Sequence, residues 1–165
     1  MPLDISVAAI GKCLRGFSGV ANRFETIWEK DGFRIINDSK ANNPTAAIAA
    51  VQAVRGPMIL LMGGRNRVKD LRPIADAIKS NDVKGLVCYG PGGTDILSAL
   101  GNVTLKTAYS KEFESAVRQA SALVNKGQTL LFAPACTVTP RFATAEERGD
   151  YFKELAGKWL KSHNP

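Results

Sequence analysis

The 165-residue chain holds a single histidine, His163, close to its carboxy terminus. A Ser–His–Asp relay or a histidine-based metal site is therefore all but excluded within it. Its three cysteines, Cys13, Cys88 and Cys136, are too far apart for CxxC chemistry, and their odd number argues against a secreted disulfide framework. Cys136 has no histidine partner to make it a nucleophile. Neither G-x-x-x-x-G-K-[ST] nor G-x-G-x-x-G occurs, so nothing here can bind ATP as a P-loop domain would. Acids and histidines show no metal-ligand spacing, so no metal site is expected. Apolar runs such as 58–62 and 129–133 fall far short of the roughly 20 residues of a membrane span. Residues 1–11 carry Asp4 and no basic start before an apolar stretch, unlike a secretory signal. The expectation is a soluble, cytoplasmic domain with no membrane contact.

What is present reads as one ordinary globular domain, 45% apolar and 22% charged. The net charge of +7 favours anionic partners. The basic residues are scattered, with no aromatic platform among them, so a small phosphorylated ligand fits better than nucleic acid. Residues 24–28 and 33–37 flank an Asp31-Gly32 turn and predict a β-hairpin. Strands are expected at 58–62, 85–89, 104–109 and 129–133. Helices are expected at 44–54, along Leu71, Ile74, Ala75 and Ile78, at 94–100, from Ser110 (as its cap) past Phe113, and at 144–161. Such alternation predicts an α/β, Rossmann-like fold: a mostly parallel sheet with helices on both faces, preceded by the short hairpin. Residues 1–20 break the pattern and read as the tail of a preceding domain or a linker; 21–165 form the domain.

Ligands in such folds bind outside the carboxyl ends of the strands. This confines the search to the loops at 37–43, 63–70, 90–93, 108–111 and 134–143. Asn37-Asp38-Ser39-Lys40 is the most informative stretch, because a strand delivers Asp, Ser and Lys together just before a helix N-terminus. Lys40 is a point charge for phosphate or carboxylate, and Asp38 can accept from a ribose hydroxyl or orient a phosphate-bound water or metal. An Asx-turn and N-cap beside a solvated lysine accounts for the same residues. After Gly63-Gly64, Arg65 or Arg67 suits bidentate recognition of an anion, or else forms a solvated basic loop. Residues 134–139 offer hydroxyls and main-chain amides without charge.

Gly19 to Glu25, the Asn-Asp-Ser-Lys loop, Gly63-Gly64, Ala133-Pro134-Ala135-Cys136 and Glu146-Glu147-Arg148-Gly149 occur in family order. Together they resemble the carboxy-terminal domain of the Mur ligases, and within that family the members that add glutamate to UDP-N-acetylmuramoyl-L-alanine. The resemblance implies an ATP-dependent ligase of peptidoglycan precursor synthesis, and hence of cell-wall growth, cell shape and division. A carboxylate is phosphorylated by ATP, and an amino acid attacks the acyl phosphate. It also implies two further domains, one for the UDP substrate and one a P-loop ATPase, which carry most of the magnesium ligands. By position, Arg23 and Asp38, with Ser39, would contact ATP, with Arg23 stabilising the phosphate as it transfers. Lys40 and Asn42 would face the acyl phosphate and the incoming amino acid; Arg67, Val138 and Thr139 would bind that amino acid.

The departures cluster in the amino-acid pocket. Asn22 stands for the usual histidine, Asn42 for threonine, Arg67 for lysine, Val138 for serine and Ala145 for an aromatic residue. Valine cannot donate the bond a serine would, so the acceptor stays open between glutamate and another amino acid. A non-catalytic α/β module that binds anions or proteins is the alternative from a different class.

Overall fold

The computed structural model describes residues 6–17 and 19–163. The remaining positions of the expected tail or linker, and the last two residues, lie outside the described residues. A first helix, α1 (Val7–Gly16), is capped by Ser6, whose hydroxyl accepts the Ala9 N–H at 3.2 Å. It buries none of its residues and leaves Val7, Ile10 and Leu14 exposed.

The hairpin follows as β1 (Glu25–Lys30) and β2 (Phe33–Asn37). Asp31 and Gly32 both have positive φ, 51° and 80°, as a two-residue turn matched to strand twist requires. The hairpin does not merely precede the sheet: β2 pairs in parallel with the last strand, so the hairpin forms one edge of a single six-stranded sheet. The other strands are β3 (Met58–Gly63), β4 (Val83–Tyr89), β5 (Lys106–Ser110) and β6 (Thr129–Ala135). The order is β1-β2-β6-β3-β4-β5, with only β1 antiparallel. The final strand thus enters the middle of the sheet, between β2 and β3.

Period-two side chains feed two cores, as a sheet covered on both faces demands. Ile36, Leu60, Met62, Leu86, Cys88 and Leu131 meet α2 (Pro44–Ala53), α3 (Arg72–Ser80) and α4 (Gly90–Leu100) on one face. Ile35, Leu61, Val87, Leu130 and Phe132 meet α5 (Phe113–Leu123) and α6 (Ala145–His163) on the other. Pro44 opens α2, with Asn43 capping it through the Ala46 N–H at 3.0 Å.

Two expectations are corrected. Residues 90–93 are not a loop but the first turn of α4, because Gly92 lies too close to Cys136 and Gly64 to leave a cradle: a Cβ there would meet Cys136 Sγ at 2.6 Å. Ser110 does not cap α5. Strand β5 runs through it, its hydroxyl donates to the Glu112 carbonyl at 3.1 Å, and Glu112 takes the cap position.

Glycine is indispensable at Gly63, whose φ of 130° is accompanied by a space already filled by the Tyr89 backbone. Gly63→Ala is expected to cost about 3 kcal/mol or more in urea unfolding. Gly157→Ala, within α6 and facing open space, is expected to stabilise by about 0.5–1 kcal/mol.

Candidate functional site

All the loop candidates sit at the carboxyl edge of the sheet. Asp38 directly follows β2 and is buried, 8% exposed. Its Oδ1 accepts the Phe24 N–H at 3.0 Å, and its Oδ2 has no hydrogen-bond partner among the described residues. Burial raises its pKa above the ordinary 3.8, against the opposing pull of the Phe24 N–H and the nearby Arg23 charge. Arg23 itself is exposed, and its guanidinium makes no hydrogen bond or salt bridge among the described residues. The Lys40 N–H donates to the Asn22 carbonyl at 3.1 Å, so the turn carrying Arg23 lies directly on the loop carrying Asp38 and Lys40. The Lys40 Nζ is half-buried and pairs with Glu146 Oε1 at 2.8 Å.

The capping explanation for this loop is divided among other residues. Asn37 forms the Asx-type bond, its Oδ1 accepting the Ser39 N–H at 3.2 Å, and Asn43 caps α2. Asp38 is left with one oxygen free, and Lys40 is ion-paired and only partly solvated. Ser39 departs from expectation. It is fully buried, its hydroxyl donates to the Ala145 carbonyl at 2.7 Å and accepts from Arg148 Nε at 3.0 Å, and its carbonyl accepts from Arg148 Nη2 at 2.7 Å. With its N–H also used, it presents no free polar atom to a nucleotide, because the first turn of α6 closes over it.

The second group lies on two loops joined by backbone. Arg65 and Thr137 exchange N–H···O bonds at 2.9 and 3.1 Å, so the segment leading to Arg67 runs beside Val138 and Thr139. Arg67 and Asn42 are exposed; Val138 packs partly against the α5–α6 core. Burial pushes the Cys136 thiol up to about 11, which suits a packed side chain and not a nucleophile.

Arg148 joins the two groups. It is 0% exposed, and Nη1 donates to the Cys136 carbonyl at 3.1 Å and the Tyr89 hydroxyl at 3.3 Å, besides its two bonds to Ser39. Sequence reasoning gave it no role. The signal was there: Arg148 lies four and eight positions before the buried Phe152 and Ala156, a charge on an apolar helical stripe. Gly149 follows because a Cβ would collide with the Asn22 side chain. Among the described residues, no group of three or more His, Cys, Asp or Glu could hold a metal ion, and no helix is long and apolar enough to cross a membrane.

The mostly parallel six-stranded sheet with β6 in its middle is the setting of this charged rim, and the family comparison names the class: residues 22–136 match the Mur ligase, glutamate ligase domain, and the chain belongs to that family. Its relatives include the UDP-N-acetylmuramoylalanine–D-glutamate ligases of Chlorobium phaeobacteroides, 42% identical over 93% of this chain, and Alkaliphilus metalliredigens, 37% identical over 97%. These matches cover 32% and 35% of the relatives, so the chain spans about a third of their length. The fold is shared with UDP-N-acetylmuramate-alanine ligase of Thermotoga maritima (TM-score 0.67, 14% identity, 96% of this chain and 34% of that one). It is shared too with E. coli FolC in complex with ADP (TM-score 0.63, 22% identity, 94% and 36%).

The raised Asp38 pKa means that the folded state holds this proton more tightly than the unfolded chain. Its ionisation therefore lowers stability as pH climbs from the ordinary 3.8 through the raised folded value, and the deficit is complete above that. Asp38→Asn keeps an acceptor for the Phe24 N–H. It is expected to unfold at higher urea than the parent at pH 7, with the advantage shrinking as pH falls toward 3.8.

Proposed function

We propose that this chain is the nucleotide- and amino-acid-side domain of an ATP-dependent ligase that joins glutamate, or a related amino acid, to the carboxylate of UDP-N-acetylmuramoyl-L-alanine. The observation that carries the proposal is the rim itself: an unpaired Arg23, a half-free Asp38 and Lys40 on two segments held together by backbone bonds. The names of the relatives at 37% and 42% identity support it. When bound, ATP supplies the phosphoryl group that turns a carboxylate into an acyl phosphate.

Arg23 suits the phosphate side, because a free guanidinium can neutralise spreading charge with two parallel bonds. Asp38 Oδ2 can accept from a hydroxyl, and a bound hydroxyl or cation would relieve the cost of its burial. Lys40 can leave Glu146 for an acyl phosphate or a substrate carboxylate, since both partners are partly solvated and their pairing is weak. Arg67 can hold a carboxylate at the second loop pair, where Val138 and Thr139 form the wall. Ser39 serves by holding the loop. Ligands for the magnesium that accompanies ATP, the P-loop and the UDP-substrate site are proposed to come from beyond this chain, in a cytoplasmic enzyme, with residues 1–20 as the tail of the preceding domain.

Two results are expected. The chain alone releases no phosphate from ATP. Titrated with Mg·ATP and followed by ¹⁵N NMR, it shifts the amides of Arg23, Asp38 and Lys40, and Arg23→Ala weakens binding by about tenfold or more. Shifts spread over the scattered lysines, produced equally by heparin and lost steeply with salt, would support an anion-binding module instead.

A further inference from the structure

Arg23 has no side-chain partner among the described residues, yet its backbone is held at the rim by bonds on both sides of it. The cause is its neighbour. Asn22 is 2% exposed and adopts φ 62°, the left-handed conformation that asparagine tolerates better than most residues. Every polar group of Asn22 is bonded. Its N–H donates to Glu25 Oε2 at 2.8 Å, and its carbonyl accepts the Lys40 N–H at 3.1 Å. Its Oδ1 accepts from Asn37 Nδ2 at 2.6 Å, and its Nδ2 donates to Asp150 Oδ1 at 3.2 Å.

The direction of this relay is forced. Asn37 spends its carbonyl oxygen on the Ser39 N–H, so it can offer Asn22 only its amide nitrogen, which also donates to the Gly149 carbonyl at 3.2 Å. Asn22 must then turn its oxygen inward and its nitrogen toward the Asp150 carboxylate. Lys153 closes a ring, pairing with Asp150 at 2.9 Å and Glu25 at 3.4 Å. On the other side of Arg23, Phe24 also has positive φ, 45°, and donates its N–H to Asp38. Arg23 is thus suspended between two left-handed residues, each tied to the Asn37–Lys40 loop.

We infer that Asn22 is a positioning residue for Arg23: through Asn37 and Asp150 it fixes the backbone from which the guanidinium projects over the rim, without touching a ligand. The inference rests on the rim being the nucleotide side. An aspartate at this place would still accept from Asn37 but would set one carboxylate against another at Asp150. The exchange Asn22→Asp with Asp150→Asn restores a donor–acceptor pair of reversed direction.

The test reads Arg23 directly, in the intact chain. ¹⁵N relaxation at the Arg23 and Phe24 backbone amides is expected to give rigid order parameters of about 0.85 in the parent. In Asn22→Asp these are expected to fall below about 0.6, with roughly tenfold weaker Mg·ATP binding, while α5 stays rigid. Adding Asp150→Asn is expected to restore both. Asn22→Gly keeps the left-handed backbone without the amide, and decides the matter if Asn22→Asp does not fold. Order parameters at Arg23 and Phe24 that stay rigid in every folded Asn22 variant overturn the inference, whatever the nucleotide does. A parent chain that binds no nucleotide counts against the proposed function, and the relaxation data still decide the role of Asn22.

Discussion

A guanidinium buried without a carboxylate is the constraint around which the carboxyl edge of this sheet is arranged. Arginine does not give up its charge in a protein interior, so Arg148 must be solvated by the fold. Two carbonyls and two hydroxyls do this, and its Cζ lies over the Phe132 ring, 5.7 Å from the ring centre. The four acceptors come from three parts of the edge: Ser39 after β2 gives two, Tyr89 ending β4 and Cys136 after β6 one each. Moving any of these would leave the charge short of a partner, which makes the loops mutually dependent. A lysine, with one compact charge and no planar fork, could not span them.

That dependence explains how charged groups can remain unfulfilled a few residues away. Asp38 is held in a burial that works against its ionisation, and Arg23 stands unpaired, because the surrounding bonds over-determine the backbone beneath them. Sites that bind anions and hydroxyls need such unspent capacity. The half-buried Lys40–Glu146 pair is intermediate: strong enough to order the lysine, solvated enough to release it.

Much of the fold was legible in the sequence because burial on both sheet faces writes continuous apolar runs, such as Met58 to Met62, and glycine or Asp-Gly marks their ends. The carboxyl-edge rim was legible where charged residues are concentrated in one loop, as with Asp38 and Lys40, which the structure places at that edge. It was illegible where function depends on distant partners. Whether Ser39 faced a ligand or α6 was set by Ala145 and Arg148, more than a hundred residues away, and no local pattern encodes that distance. The glycines of 90–93 read as a loop for a related reason: their small size serves close approach of the first turn of α4 to Cys136 and Gly64.

The central position of β6 also bears on how the chain comes into being. A ribosome releases β2 and β3 long before residues 129–135 exist, leaving a slot one strand wide between them. Until that strand emerges, a hairpin and a three-stranded half-sheet each keep an open hydrogen-bonding margin, a state exposed to pairing with the wrong neighbour. Closure of the slot waits for residues 129–135, and burial of Arg148 waits for the helix α6 that carries it, so the rim is assembled only after both have emerged.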